Sequence, residues 1–451
     1  MIDKQSLHGE WSSRFAFILA ATGAAVGLGN IWKFPYIAGE NGGSAFVMVY
    51  ILCVVLMGVP IMIAETMLGR RAKRNPILAM QTLAKEANAP IYWQTVGWAG
   101  VAAGALILSY YSVIAGWSSA YTLKALLGQF FHSDAYLAQA MFADFVSSPL
   151  RLLFWHSFFM LLTMFIVSRG ISNGLEKSVQ MLMPCLFFMV FFLVGYAMTT
   201  SGYKQGLNFL FSPDFHKISA KTVLMAMGQA FFSLSLGMGS IMIYGAYLPK
   251  NVSIAKSSVI IALADTGVAL LAGVAIFPIV FTNGLQPDSG AGLVFETLPI
   301  AFGNMTGGWL FGVLFFVMLV VAALTSAISL IEPAVAWLIE AKELTRIEAS
   351  VRAGLVVWGL GIITIFSFNR WKDVTFFGLT PFELIDSLTA NIMLPLGGLA
   401  IAVFAGWLMK QQDTEQELAL PQLQYDVWRV LIRYVAPAGV FLIFLHVLGV
   451  L

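Results

Sequence analysis

Gly23-Ala24-Ala25-Val26-Gly27-Leu28-Gly29-Asn30 lies inside the first long apolar segment of this chain, and its glycines interrupt an otherwise helix-forming run. A second apolar segment breaks the same way at Ser233-Leu234-Ser235-Leu236-Gly237-Met238-Gly239-Ser240. Glycine is about 1 kcal/mol worse than alanine in a helix interior, and it opens the backbone to close approach. In hydrocarbon, opened backbone is tolerated only where it lines a cavity or is buried in protein. Close packing through small residues would account for either break alone. Two breaks in corresponding positions of two halves point instead to the central binding site of a secondary transporter.

The surroundings of the two breaks are those of a membrane protein. Of 451 residues, 59% are hydrophobic and 11% charged, where a soluble chain carries about 25% charged residues. Mean hydropathy is +0.83. Eleven apolar stretches are long enough to cross a bilayer, which takes roughly 20 residues. They run near 14–39, 44–69, 95–127, 152–169, 176–201, 219–247, 253–284, 308–340, 349–369, 379–409 and 427–450. The expected fold class is an all-α polytopic membrane protein of one domain, 1–451.

The first segment has no basic, apolar, small-residue cleavage layout before it, so it is expected to stay as a span. Cys53 and Cys185 both fall in apolar stretches and read as small buried hydrophobes. No nucleophile–base spacing, phosphate loop or metal cluster is visible, so an enzyme is not expected. No ring of pore charges or filter repeat suggests a channel. A net charge of +2 gives no reason to expect nucleic acid; the expected partners are the bilayer and a small molecule.

Arg70, Arg71, Lys73, Arg74 and Lys85 crowd the second connection, Lys250 and Lys256 flank the sixth, and Arg346 and Arg352 the eighth. Basic residues mark cytoplasmic loops. A cytoplasmic N-terminus follows, and an odd number of spans puts Leu451 outside. Short termini suggest a bacterial inner (plasma) membrane. The longest polar connection, Lys410 to Tyr425, reads as a solvated loop.

If the breaks mark helices 1 and 6, the chain divides into two five-helix repeats, about 14–201 and about 219–409, with an additional helix at about 427–450. Five is odd, so the second repeat enters the membrane from the opposite side. The repeat is therefore inverted.

Several ordered strings carry a resemblance across essentially the whole chain: Trp11-Ser12-Ser13-Arg14, Gly23 to Asn30, Gly29-Asn30-Ile31-Trp32-Lys33-Phe34-Pro35-Tyr36 and Glu40-Asn41-Gly42-Gly43. Pro60, Glu65 to Arg70, Gly228-Gln229-Ala230-Phe231-Phe232-Ser233-Leu234-Ser235 and Ala322-Ala323-Leu324-Thr325-Ser326 follow. Together they resemble the sodium-coupled neurotransmitter and amino-acid symporters. The resemblance implies the LeuT fold, a 5+5 inverted repeat with discontinuous helices 1 and 6 and 11 transmembrane helices.

It also implies two sodium ions. One would take oxygens from Ala25, Asn30, Ser233 and Asp265 together with a substrate carboxylate, and the other from the carbonyls of Gly23, Val26 and Ala322 and the hydroxyls of Thr325 and Ser326. Thr325 and Ser326 could equally bond within their own helix. Where the family usually carries asparagine this chain has Asp265, and the residue one turn later is Ala269. An aspartate within an apolar helix is a functional residue by default. Chloride-dependent relatives build an anion site at positions matching Tyr50, Gln229 and Ser233. A permanent charge on Asp265 would make chloride unnecessary, and proton counter-transport is a weaker option.

Gly27 stands where carriers of biogenic amines place an aspartate. Glycine there leaves room for a substrate carboxylate, held by backbone amides of the broken helix at Ala25, Gly27, Leu28 and Gly29, and by Tyr111. The resemblance lines the side-chain pocket with Ala24, Leu28, Ile107, Phe232, Ser233, Ser235, Met238, Ser326 and Leu330. That lining favours neutral hydrophobic L-amino acids, with aromatic ones among the candidates, and flexible Met238 can repack around bulk.

The outer gate would be Lys33 with Asp386 above Phe232 and Tyr111, although Lys33 could instead snorkel to the interface. The inner gate would be Trp11, Tyr247 and Glu340, with the basic partner at His8 or Lys4. Glu65, Glu296 and Glu332 receive no role, beyond Glu332 marking a kink before Pro333. The expected activity is sodium-coupled import by alternating access. The alternatives are a carrier of small osmolytes or GABA-like compounds and a non-transporting amino-acid sensor.

Overall fold

A computed structural model describes residues 10–212, 214–287 and 290–447. Among them the fold is helical throughout, relieved by a lone bridge between Phe376 and Leu379. Among the described residues nine helices are long and apolar enough to cross a membrane, or ten if the pair Arg14–Ala25 and Gly29–Glu40, bent by 46°, is one span. Ala220–Ser233 and Ser240–Ala246 are each too short to cross alone and flank the second glycine break. Span 1 is the bent pair and span 2 is Ser44–Ala72. Spans 3, 4 and 5 are Ile91–Leu126, Pro149–Ser168 and Ile171–Ala197. The two short helices are labelled together as span 6 for reference, and span 7 is Ile254–Thr282. Spans 8, 9, 10 and 11 are Gly308–Lys342, Arg346–Ser367, Pro381–Leu408 and Gln422–Leu445.

Helix starts follow side-chain chemistry. Ser13 caps span 1 by accepting from the Ala16 N–H. Thr345 with Glu348, and Thr380 with Glu383, form reciprocal capping boxes that begin spans 9 and 10. Each satisfies amide donors that a helix start otherwise leaves unpaired.

The spans are not equally central. The apolar window of span 8 is 83% buried inside the protein and that of span 11 only 22%, so span 8 runs through the middle and span 11 along the rim. Span 3 packs broadly against span 8. Spans 2 and 6 cross at Gly69, where a Cβ would come within 1.8 Å of the Met242 carbonyl oxygen. Only a residue without a side chain permits that approach.

Two expectations need correction. The connection 410–425 is not simply solvated: Gln411–Leu418 is a helix with Thr414 and Leu418 buried. Arg70 pairs with Glu417 at 2.6 Å and Arg71 with Asp413 at 3.0 Å, so the polar residues dock the helix against the connection after span 2. Only one cysteine is buried: Cys53 is interior and Cys185 is exposed. An apolar stretch in a membrane can point to lipid as well as to protein, and hydropathy alone does not separate the two.

Candidate functional site

The first break begins where Val26 turns to an extended conformation (φ −72°, ψ 106°) after the helix ending at Ala25, and a wide turn over Gly29–Lys33 restarts the helix. Backbone groups released by the break find side chains. Gly27 N–H donates to Asn30 Oδ1 at 3.0 Å, and Leu28 N–H to the Tyr111 hydroxyl at 3.0 Å. The second break runs from Leu234 to Gly239 through three residues in the left-handed region: Ser235 (φ 56°), Gly237 (φ 75°) and Gly239 (φ 78°). Glycine adopts that region without strain, whereas serine at such an angle is held there by its surroundings. Gly237 N–H donates to fully buried Glu65 at 2.6 Å. The Ser235 hydroxyl donates to the Ala24 carbonyl at 2.8 Å and ties the two breaks together.

Between them lies a narrow cavity of about 20 Å³. Its lining includes Ala24, Ala25, Gly27, Gly29, Ile107, Tyr111, Phe232, Ser235, Met238, Ser326 and Leu330. Two residues expected there are not among the lining. Leu28 is buried and gives its N–H to Tyr111, while the Ser233 hydroxyl turns to Asp265. The space beside Gly27 is filled: a Cβ there would meet Ser326 Oγ at 2.3 Å and the Tyr111 hydroxyl at 2.5 Å.

Asn30, Ser233 and Asp265 meet in one buried cluster. Asn30 Nδ2 donates to Asp265 Oδ1 at 2.7 Å and to the Asp265 carbonyl at 3.0 Å. The Ser233 hydroxyl donates to Asp265 Oδ2, and the Tyr50 hydroxyl reaches the same oxygen at 3.5 Å. Gln229 takes no part in this cluster and donates to the Gly29 carbonyl at 2.7 Å. On the other side of span 1, Ser326 Oγ bonds the carbonyls of Gly23 and Val26, each at 3.3 Å. Thr325 stays within its own helix, on Ala322 at 3.0 Å and Val321 at 3.4 Å. Apart from Asn30 Nδ2, the groups in the two clusters are carbonyl, hydroxyl and carboxylate oxygens, the chemistry that suits a hard cation. Sodium as a cargo ion fits both clusters.

The cavity is closed at both ends. Lys33 Nζ lies 2.5 Å from Asp386 and 4.5 Å above the Phe232 ring, so Lys33 does not snorkel. At the other end Trp11 is buried, its backbone N–H on the Tyr247 carbonyl at 3.0 Å and its indole N–H on the Tyr244 carbonyl at 3.1 Å. Glu340 accepts from the Asn75 N–H at 2.7 Å; His8 and Lys4 lie outside the described residues.

Sequence reading missed the role of Glu332. It is fully buried, makes a bidentate pair with Arg346 (2.8 and 2.5 Å) and accepts from the Tyr247 hydroxyl at 2.8 Å. Through Tyr247 it braces the Trp11 closure. The available signal was an unmatched acid within an apolar helix, which demands a partner. Arg346, beyond the helix end, supplies it. Glu296, in the connection between spans 7 and 8, is half-buried, and burial pushes its carboxyl above the ordinary value.

An all-helical protein with a closed cavity between two helix breaks, flanked by oxygen clusters suited to a cation, has the features of a sodium-coupled carrier. The sodium:neurotransmitter symporter family model matches residues 8–135 and 130–450. An uncharacterized sodium-dependent transporter of Bacillus subtilis is 37% identical over 98% of each chain, and one of Haemophilus influenzae is 34% identical over 96% of this chain and 97% of its own. The crystal structure of MhsT in complex with L-phenylalanine superposes with a TM-score of 0.92 at 41% identity, covering 97% of this chain and 99% of that one. The chain belongs to the sodium:neurotransmitter symporter family. It is a sodium-dependent multi-pass membrane transporter with a LeuT-like fold, and not an enzyme.

Proposed function

We propose that this protein imports neutral hydrophobic L-amino acids, aromatic ones included, with two sodium ions and without chloride. The observation that carries the reading is the cavity: its wall is mostly apolar, and its polar end is bare backbone at Gly27 beside Tyr111 and Ser326. An aspartate at position 27 would collide with both hydroxyls, which disfavours an amine lacking its own carboxylate. The bound L-phenylalanine in the related MhsT structure supports the same class of cargo.

In this reading Gly23, Val26, Ala322, Thr325 and Ser326 hold one sodium ion. Ala25, Asn30, Ser233 and Asp265 hold the other, beside the substrate carboxylate. Filling both clusters favours the arrangement in which the breaks are tied through Ser235 and Ala24, so cargo and ions stabilise one closed form together. Lys33 and Asp386 then separate toward one face, and Trp11 leaves Tyr244 and Tyr247 toward the other. Reading the two short helices of span 6 as one interrupted crossing gives eleven spans. The basic loops put Trp11 on the cytoplasmic side and the C-terminus outside.

The test is uptake of labelled phenylalanine into proteoliposomes under an imposed inward sodium gradient, with competition by all twenty amino acids. Accumulation that collapses with the gradient and is blocked by hydrophobic amino acids is the expected result. Binding without accumulation would identify a sensor, and competition by small osmolytes alone would overturn the substrate class.

A further inference from the structure

Span 11 carries two arginines where it enters the membrane. Lys73, at the end of span 2, pairs with Glu10, and Arg70 and Arg71 of the same end hold the helix 411–418. The connection between spans 10 and 11 therefore lies on the Trp11 side. The apolar part of span 11 begins near Val427, so Arg429 and Arg433 fall about 3 and 9 Å beyond that entry. One turn separates them, which puts them on one helix face with about 6 Å between their Cβ atoms. Arg433 is built into its place. A Cβ at Gly406 would lie 2.9 Å from Arg433 Cγ, so the glycine makes room for the arginine stem. The guanidinium stands 4.2 Å over the Trp407 ring, and Trp407 Nε1 donates to the Arg433 carbonyl at 3.0 Å. Both helices widen here to hydrogen bonds five residues apart, over Phe404–Leu408 and Leu431–Val435. Such wide turns are rare and occur often at functional sites. Arg429 Nη1 donates to the Tyr425 hydroxyl at 2.6 Å.

Neither guanidinium has a carboxylate partner among the described residues, and Arg433 Nε is buried without any hydrogen-bond acceptor. The acids of the connection and of span 11 are engaged elsewhere. Asp413 pairs with Arg71 and Glu417 with Arg70, while Glu415 accepts from Gln411 and Asp426 from Gln422. Glu65 of span 2 faces Gly237 in the interior. Like charges one turn apart repel, and an unpaired charge within a membrane span is costly. The component missing from this arrangement is an anion. Trp407 and Tyr434, with ring centroids 5.5 Å apart, are 50% and 53% exposed, so the face that carries Arg433 opens outward. Tryptophan and tyrosine collect at the level of the lipid headgroups. The anion present at that level is a phospholipid phosphate, and basic pockets between spans bind it.

We infer that Arg429 and Arg433 clamp the phosphate of one anionic phospholipid in the leaflet on the Trp11 side, with Trp407 fixing the deeper guanidinium. The clamp is separate from the transport cavity and does not depend on which cargo is carried.

The test is native mass spectrometry of the purified full-length protein titrated with dioleoyl phosphatidylglycerol or dioleoyl phosphatidylethanolamine. Wild type is expected to keep one phosphatidylglycerol at collision energies that strip phosphatidylethanolamine. Each guanidinium beside an anionic headgroup contributes about fivefold in affinity, so Arg429→Gln with Arg433→Gln should weaken retention on the order of 25-fold. Arg169→Gln with Arg352→Gln removes two exposed arginines outside the clamp and should leave retention unchanged. Arg433→Lys keeps the charge and loses the planar stack on Trp407, so it should weaken retention while preserving the preference for the anionic lipid. That variant also reports if the double substitution does not fold. Equal retention of the two lipids by wild type, or equal weakening by the Arg169 and Arg352 substitutions, overturns the proposal. So does displacement of phosphatidylglycerol by inorganic phosphate, which would assign the clamp to a free anion.

Discussion

Asp265→Asn separates the charge of the proposed first sodium site from its shape. Asp265 Oδ1 accepts from Asn30 Nδ2, whose partner oxygen is itself engaged by the Gly27 N–H, so that side of the cluster needs an acceptor. Oδ2 faces the hydroxyls of Ser233 and Tyr50, which can rotate and accept instead. The amide therefore fits with its carbonyl toward Asn30 and its NH₂ toward the hydroxyls. What is lost is the negative charge. For a cation within roughly 4 Å, at an effective dielectric near 20, that charge contributes about 4 kcal/mol. At about 1.4 kcal/mol per decade, this sets an upper limit of about three orders of magnitude in sodium affinity. The assay is the sodium dependence of labelled phenylalanine binding in chloride and in gluconate. Wild type should give the same half-saturating sodium in both media. Asp265→Asn should require far more sodium in gluconate and recover part of the loss in chloride. Loss of wild-type uptake when gluconate replaces chloride, or an unchanged sodium requirement in the variant, would refute the reasoning.

Gly27→Ala places a methyl group 2.3 Å from Ser326 Oγ and 2.5 Å from the Tyr111 hydroxyl, so both must move. Substrate affinity should fall about ten- to a hundredfold, as expected when a hydrogen bond to a charged group is displaced; equilibrium binding checks this. Glu332→Ala leaves Arg346 without its carboxylate and the Tyr247 hydroxyl without its acceptor, at a cost of about 3 kcal/mol. The melting temperature should drop, and a cysteine probe placed near Trp11 should label faster from the Trp11 face. Glu296→Gln tests the raised carboxyl of the loop. Burial disfavours the charged form, so wild-type stability is complete below the ordinary glutamate range and declines as pH rises through the higher folded value. The variant should therefore melt above wild type at pH 8 and close to it at pH 4.

Apolar length alone located the helices, because a bilayer demands about twenty uninterrupted apolar residues whatever the partners are. Local chemistry also fixes several helix starts, Ser13, Thr345 and Thr380 among them. The two glycine breaks were legible for the same reason: glycine's effect on backbone is intrinsic to the residue. Partnership was not legible. Glu332 meets Arg346 and Tyr247 only because spans 6, 8 and 9 converge at one end. Cys53 and Cys185 have similar surroundings in sequence and opposite exposure in space. The helix 411–418 looked like a soluble loop because its acids are satisfied by Arg70 and Arg71, hundreds of residues away.

From the sequence came a helical membrane protein broken at Gly27 and at Gly237, with an aspartate in span 7, since composition and backbone freedom are properties of each stretch. Only the tertiary structure decided what those features face. It set Ser326 Oγ against two carbonyls of span 1, closed Lys33 on Asp386, and filled the space beside Gly27 with two hydroxyls. These contacts join residues far apart in the chain, and their distances are fixed by helix packing rather than by any local rule.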